Sequence, residues 1–211
     1  MGNRNTERMI ALVVLVATAV GLLVTTLAGD SRDGRVEDLQ TLLSQLEKRH
    51  KNLYNFTAKS VLEAQAAQVR AMLDRTPPEV FPFQLLSITA LVGDGHTYVH
   101  PPADVKRLPI LLFWFQNELR VVRALPGYEK CLGAKVIRME GTATAELDRK
   151  IRKLLSQNEN EWFYKANSAG LLTVPAALYV VGITKRLDAT EVAFEGEGGE
   201  AFSLSPAGRT H

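Results

Sequence analysis

The sequence predicts an α+β chain in three parts: an apolar leader helix, a small three-helix cap domain, and a β-rich module that carries further helices. Three observations predict it. The run Met9 to Gly29 contains no charged residue. Residues 33–94 place apolar side chains at spacings of three and four, the period of a helix face. Beyond Pro101-Pro102 the period shifts to short alternating apolar runs bounded by turn residues, the pattern of strands. With 211 residues, 46% hydrophobic and 23% charged, the composition is that of globular protein. A net charge of +2 without a basic stripe gives no footing for nucleic acid as a partner.

The leader comes first. Arg4 and Arg8 precede the uncharged run, and Asp30, Arg32 and Asp33 close it. About 20 apolar residues suffice to cross roughly 30 Å of hydrocarbon as a helix. Basic residues ahead of the run put the amino end in the cytoplasm and the remainder outside. Thr26-Leu27-Ala28 resembles a small-residue cleavage site. Residues 1–30 are therefore expected to be a signal peptide or a membrane anchor, the latter through residues 9–29 if uncleaved. The product is expected to be extracytoplasmic, either membrane-anchored or secreted and periplasmic.

Three helices are expected between 33 and 94. Val36, Leu39, Leu43, Leu46 and Leu53 form the apolar stripe of the first, with His50 on the stripe as a core or boundary residue. Ser60-Val61-Leu62-Glu63 has capping-box spacing at the start of the second. The third begins at Thr76-Pro77-Pro78-Glu79, where Thr76 caps and proline suits the first helical position; Phe83, Leu86, Ile88, Leu91 and Val92 make it strongly apolar. Within 95–204, Leu108 to Phe115 and Leu119 to Val122 read as a hairpin turning near Asn117. Residues 134–139 alternate as a third strand closed by Gly141. A helix is expected over 142–155, a second over 161–169, and a short third over 175–181 stopped by Gly182. Residues 190–195 and 200–204 form a glycine-rich hairpin, and 205–211 is a polar tail. Phe113, Trp114 and Phe115 are adjacent, so at least one ring must leave the core.

The chemistry-bearing residues are few. Cys131 is the only cysteine, which excludes an internal disulfide and a cysteine-based zinc site; it reads as a small buried apolar residue. His96 and His100 sit four apart in a β-like stretch, roughly 13 Å along a strand, so no metal site is expected from them, and no cofactor. Glu140 and Glu146 read as solvent-facing charges. No serine lies in a Gly-x-Ser-x-Gly elbow. His96 stands out: in Gly93-Asp94-Gly95-His96-Thr97 two glycines flank Asp94, and the histidine enters a strand from an irregular turn. An imidazole titrates near neutrality and serves as a general base, but a base needs a nucleophile to activate.

Asn52-Leu53-Tyr54, the helix running into Leu91-Val92-Gly93-Asp94-Gly95-His96-Thr97, Leu108-Pro109, Gly133-Ala134-Lys135-Val136-Ile137 and Glu140-Gly141-Thr142 occur in the order seen in tail-specific, or C-terminal-processing, serine peptidases. Over about residues 36–204 the chain resembles the branch related to the tricorn core and the interphotoreceptor retinoid-binding proteins. The resemblance implies an N-terminal helical segment followed by a PDZ-like module over 95–204, whose groove takes an extended peptide or protein C-terminus by strand addition. It implies that His96 descends from the general base of the catalytic serine, with Asp94, Gly95 and Thr97 as supporting motif residues. In the family the sheet bearing that serine follows the PDZ-like module. The expectation is thus an N-terminal portion of an exported peptidase-like protein, inactive by itself and completed by a separate catalytic domain. The alternative is a non-catalytic, membrane-tethered peptide-binding module.

Overall fold

The computed structural model describes residues 11–16, 23–26 and 31–210. The chain divides into two compact units, 1–102 and 103–211, with Pro101-Pro102 at the end of the first.

The first unit opens with strands β1 (Ala11–Val16) and β2 (Leu23–Thr26), which pair antiparallel. This corrects the expected leader helix. The remainder of the 9–29 run lies outside the described residues, and among the described residues no helix is long and apolar enough to cross a membrane. The reason is local: six of the ten residues in β1 and β2 are Val or Thr, whose branched Cβ favours extended backbone. A continuous apolar run does not by its period distinguish a strand from a buried helix.

Three helices follow. They are α1 (Arg32–Arg49), α2 (Lys59–Met72) and α3 (Phe81–Ala90). Ser31 caps α1, its hydroxyl accepting from the Gly34 N–H at 3.1 Å. The buried stripe of α1 is Leu39, Leu42 and Leu46, so Leu42 takes the place expected for Leu43. The Ser60 capping box does not form: α2 begins two residues earlier than that box requires, with Ala58 at the cap position and no side-chain cap. Nor does Thr76 cap. A 3-10 turn over Pro78–Val80 precedes α3, and the Thr76 hydroxyl instead donates to Met72 O at 2.9 Å and accepts from Gln84 Nε2 at 2.9 Å.

Apart from Ser87, every residue of α3 is buried. It is therefore the central helix of this unit, contributing Phe83, Leu85 and Ile88 to the core with Leu46, Leu73 and Val99. Each such side chain supplies roughly 1.5–3 kcal/mol of apolar transfer free energy. Strand β3 (Thr97–His100) closes the unit by pairing antiparallel with β1, giving the order β2-β1-β3.

The second unit is a six-stranded antiparallel sheet. Strands β4 (Ile110–Phe115), β5 (Glu118–Ala124) and β6 (Lys135–Met139) are followed by the short β7 (Thr142–Ala143). Helices α4 (Thr144–Ile151), α5 (Glu161–Leu171) and α6 (Pro175–Val180) come next, then β8 (Val192–Glu195) and β9 (Ala201–Leu204). The sheet order is β4-β5-β6-β8-β9, with β7 beside β6. The expected 142–155 helix is thus shorter, because β7 occupies its start and a 3-10 turn, Arg152–Leu154, its end.

Strict alternation decides the faces of β4. Ile110, Leu112 and Trp114 point into the core, while Leu111, Phe113 and Phe115 point out at 49%, 51% and 50% exposure. Trp114 Nε1 donates to Ser168 Oγ of α5 at 2.9 Å, which satisfies the indole in the interior. Glu140 is not a free surface charge. It turns the chain after β6 with φ +48°, and its carboxylate accepts from the Glu191 N–H at 2.8 Å. Glu146 does face solvent, paired with Arg149.

These placements separate two aromatic residues sharply. Phe83 has no exposure and Trp162 has 80%. Phe83→Ala is expected to cost about 3–5 kcal/mol, and Trp162→Ala less than about 0.5 kcal/mol. Urea denaturation of the two variants checks the contrast.

Candidate active site

The site is a turn between α3 and β3. Helix α3 stops because Gly93 takes φ +74°, and a Cβ there would lie 2.6 Å from Cγ of the Phe56 ring. Only glycine fits both demands. The next residue, Asp94, organises everything after it. Its Oδ1 accepts from the His96 N–H at 3.0 Å, its Oδ2 accepts from the Thr97 hydroxyl at 2.9 Å, and its carbonyl accepts from the Thr97 N–H at 2.9 Å. Thr97 is 2% exposed, so this bond also satisfies a hydroxyl buried at the first position of β3.

Two imidazoles share the same carboxylate. His96 Nδ1 lies 3.4 Å from Asp94 Oδ1, and its side chain is 79% exposed. His50, at the end of α1, lies 3.4 Å from Asp94 Oδ2 through Nε2, and its side chain is only 12% exposed. The tautomer of His50 follows from its other nitrogen: Nδ1 accepts from the Asn52 N–H at 3.2 Å, so Nε2 carries the proton that faces Asp94. Partial burial of Asp94 raises its pKa. Hydrogen bonds from the His96 backbone, the Thr97 hydroxyl and the two imidazoles oppose that and win, so the carboxyl sits below its ordinary value.

The chemical consequence lies on His96. Its Nδ1 faces the Asp94 carboxylate while the side chain stays largely exposed, and an imidazole oriented by a carboxylate is the arrangement that general-base catalysis uses. Among the described residues no serine, threonine or cysteine side chain bonds to that ring. Cys131 is buried, and burial pushes its thiol pKa up, which makes it a poor nucleophile. No group of His, Cys, Asp and Glu among the described residues could hold a metal ion.

Of the residues singled out from sequence, Asp94, Gly95, His96 and Thr97 fall within this one turn. His100 lies at the far end of β3, its ring 4.3 Å from that of Tyr98. The helix stripe gives His50 only as a core or boundary residue. Nothing in the sequence points from position 50 to position 94, because tertiary packing alone brings the end of α1 to the end of α3.

No family model and no curated protein sequence matches the chain. Solved structures of CPAF, a chlamydial serine protease with a tail-specific-protease-like fold, do match. Mature CPAF complexed with lactacystin superposes with a TM-score of 0.56 at 14% identity, over 85% of this chain and 35% of CPAF. A serine-to-alanine CPAF mutant gives 0.55 at 13% identity, over 85% and 34%. Mature CPAF gives 0.53 at 12% identity, over 85% and 35%. The chain thus spans about a third of the CPAF length and shares its fold over that third.

The lowered pKa of Asp94 has a defined sign. Its contribution to stability is present above the unfolded value near 3.8 and is lost as pH falls through the lower folded value. Asp94→Ala is expected to destabilise the protein by about 1 kcal/mol at pH 7, as for other side chains that bond local backbone N–H groups. Near pH 2 the variant and the native protein are expected to differ by much less. Urea titrations at the two pH values check this.

Proposed function

We propose that the chain is the histidine-bearing portion of an exported serine-peptidase-like protein, in which His96 is the general base toward a serine hydroxyl supplied from outside residues 31–210. One observation carries the reading: the Asp94 carboxylate lies 3.4 Å from His96 Nδ1 while the His96 side chain is 79% exposed. The fold shared with CPAF supports it at the level of architecture. In this reading Asp94 and Thr97 orient the turn and take no part in proton transfer. The six-stranded unit acts as a PDZ-like module that docks an extended peptide or protein C-terminus by strand addition at an outer strand.

The reading is tested on the protein as its host makes it. His96→Ala is expected to lower peptide cleavage by about 10³-fold or more, since a base and its nucleophile act as a unit, with peptide binding unchanged. Undiminished cleavage by the variant would overturn it. The exposure of His96 without a hydroxyl partner among the described residues favours a second reading, a membrane-tethered module that binds peptides without cutting them. Saturable peptide binding with no cleavage by the host-made protein would select that reading.

The location outside the cytoplasm rests on the order of basic, apolar and acidic residues in the first thirty positions. Amino-terminal sequencing of the protein recovered from its host is expected to find either a start near Gly29, for a cleaved leader, or an intact leader in the membrane fraction. An intact leader in the cytosolic fraction would remove this part of the proposal.

A further inference from the structure

Two side chains from the segment just after α1 bear on the turn that carries His96. The Phe56 ring lies over Gly93, where even a Cβ would come within 2.6 Å of its Cγ. The His50 imidazole reaches the Asp94 carboxylate, with Nε2 3.4 Å from Oδ2. The bonds that carboxylate accepts from the His96 N–H and the Thr97 hydroxyl are made within the turn itself. They set the shape of the turn. His50 is the group that reaches the carboxylate from another element.

His50 is itself held at three atoms. Its backbone N–H donates to Leu46 O at 3.0 Å, which ends α1. Nδ1 accepts from the Asn52 N–H at 3.2 Å, and Nε2 meets Asp94. The side chain is nearly enclosed, whereas that of His96 is exposed. A residue that only ended a helix would need its backbone alone. A ring engaged at both nitrogens has one orientation, and it passes that orientation on to the group it bonds.

An ionised carboxylate has about four acceptor sites. Oδ1 faces the N–H and Nδ1 of His96, and Oδ2 faces the Thr97 hydroxyl and His50. Without His50, Oδ2 keeps the Thr97 hydroxyl alone. The carboxylate then gains freedom to turn about its Cβ–Cγ bond, which carries Oδ1 away from the His96 ring.

We propose that His50 is a positioning residue for His96: its Nε2–H holds the Asp94 carboxylate in the orientation that keeps Oδ1 on His96 Nδ1. The consequence for catalysis rests on the reading of His96 as a general base. The chain of contacts from His50 through Asp94 to His96 stands without that reading.

The test is nuclear magnetic resonance of the 211-residue chain, native and as His50→Gln and His50→Leu. Glutamine offers an N–H near the position of Nε2, and leucine offers none. At about pH 8, where a free imidazole is neutral, the ring nitrogen shifts are expected to show His50 as the Nε2–H tautomer. The native Asp94 carboxyl, despite the upward pull of partial burial, is held below its ordinary value by bonds from His96, Thr97 and His50. His50→Leu is expected to raise its titration midpoint, read from the carboxyl carbon shift. The same variant is expected to average the χ1 couplings of His96, which in the native chain report one rotamer. His50→Gln is expected to leave both signals near native. In the protein as its host makes it, His50→Leu is expected to lower kcat for peptide cleavage by about ten- to hundredfold with KM changed less than about twofold, and His50→Gln to restore most of it. An Nδ1–H tautomer for His50, native Asp94 and His96 signals in His50→Leu, loss of both signals in His50→Gln, or native kcat in His50→Leu would each overturn the proposal. If His50→Leu does not fold, the native tautomer and His50→Gln decide. If the native protein cleaves no peptide, the peptidase-like reading fails and the resonance signals alone decide the role of His50.

Discussion

The Asp94 carboxylate accepts from the backbone of His96, the hydroxyl of Thr97 and the imidazole of His50, and through these bonds it joins the turn between α3 and β3 to the end of α1, which is remote in sequence. The end of α1, the end of α3 and the start of β3 meet at one pair of oxygens. Gly93 makes the meeting possible, since a side chain there would strike the Phe56 ring. Thr97 is buried and would be an unsatisfied donor without its partner. The placing of the His96 ring is a consequence of these demands: Oδ1 binds the His96 backbone N–H and faces Nδ1 of the same residue, whose side chain is otherwise largely exposed.

The second unit obeys a different constraint, the period of two along its strands. Ile110, Leu112 and Trp114 enter the interior with Leu119, Val121, Val136, Met139 and Phe194, and α4 adds Leu147 and Ile151. The opposite face of β4 carries Leu111, Phe113 and Phe115, with the two phenylalanine rings edge to face at 5.2 Å. Across the same face, Glu118 bridges Arg120 and Lys135 at 2.7 and 2.9 Å. Exposed ion pairs of this kind are worth little individually. Their role here is to set a charged row beside an apolar one on a single sheet surface.

Fold and chemistry carry separate weight. The likeness to CPAF concerns the path of the backbone over about a third of that protein's length, and one fold hosts many activities. The reading of His96 as a base comes from the Asp94–His96 geometry. That reading depends on a hydroxyl supplied from outside residues 31–210.

Much of the secondary structure was legible in the sequence because local rules decide it. The hairpin turning at Gln116-Asn117, the α5 and α6 segments and the glycine-rich β8–β9 hairpin follow from period, glycine and proline. Errors arose where local signals were balanced. The Ala11–Val16 and Leu23–Thr26 segments are apolar enough for a helix and branched enough for strands, and pairing of β1 with both β2 and β3 resolved them. Leu42 and Leu43 both suit a helix stripe, and only the direction of packing chose Leu42. Within the candidate site, the turn from Gly93 to Thr97 could be read directly because its contacts are local. The part played by His50 could not. It lies far from Asp94 in the sequence, and side chains that distant meet only when burial of the apolar core has fixed where each element lies.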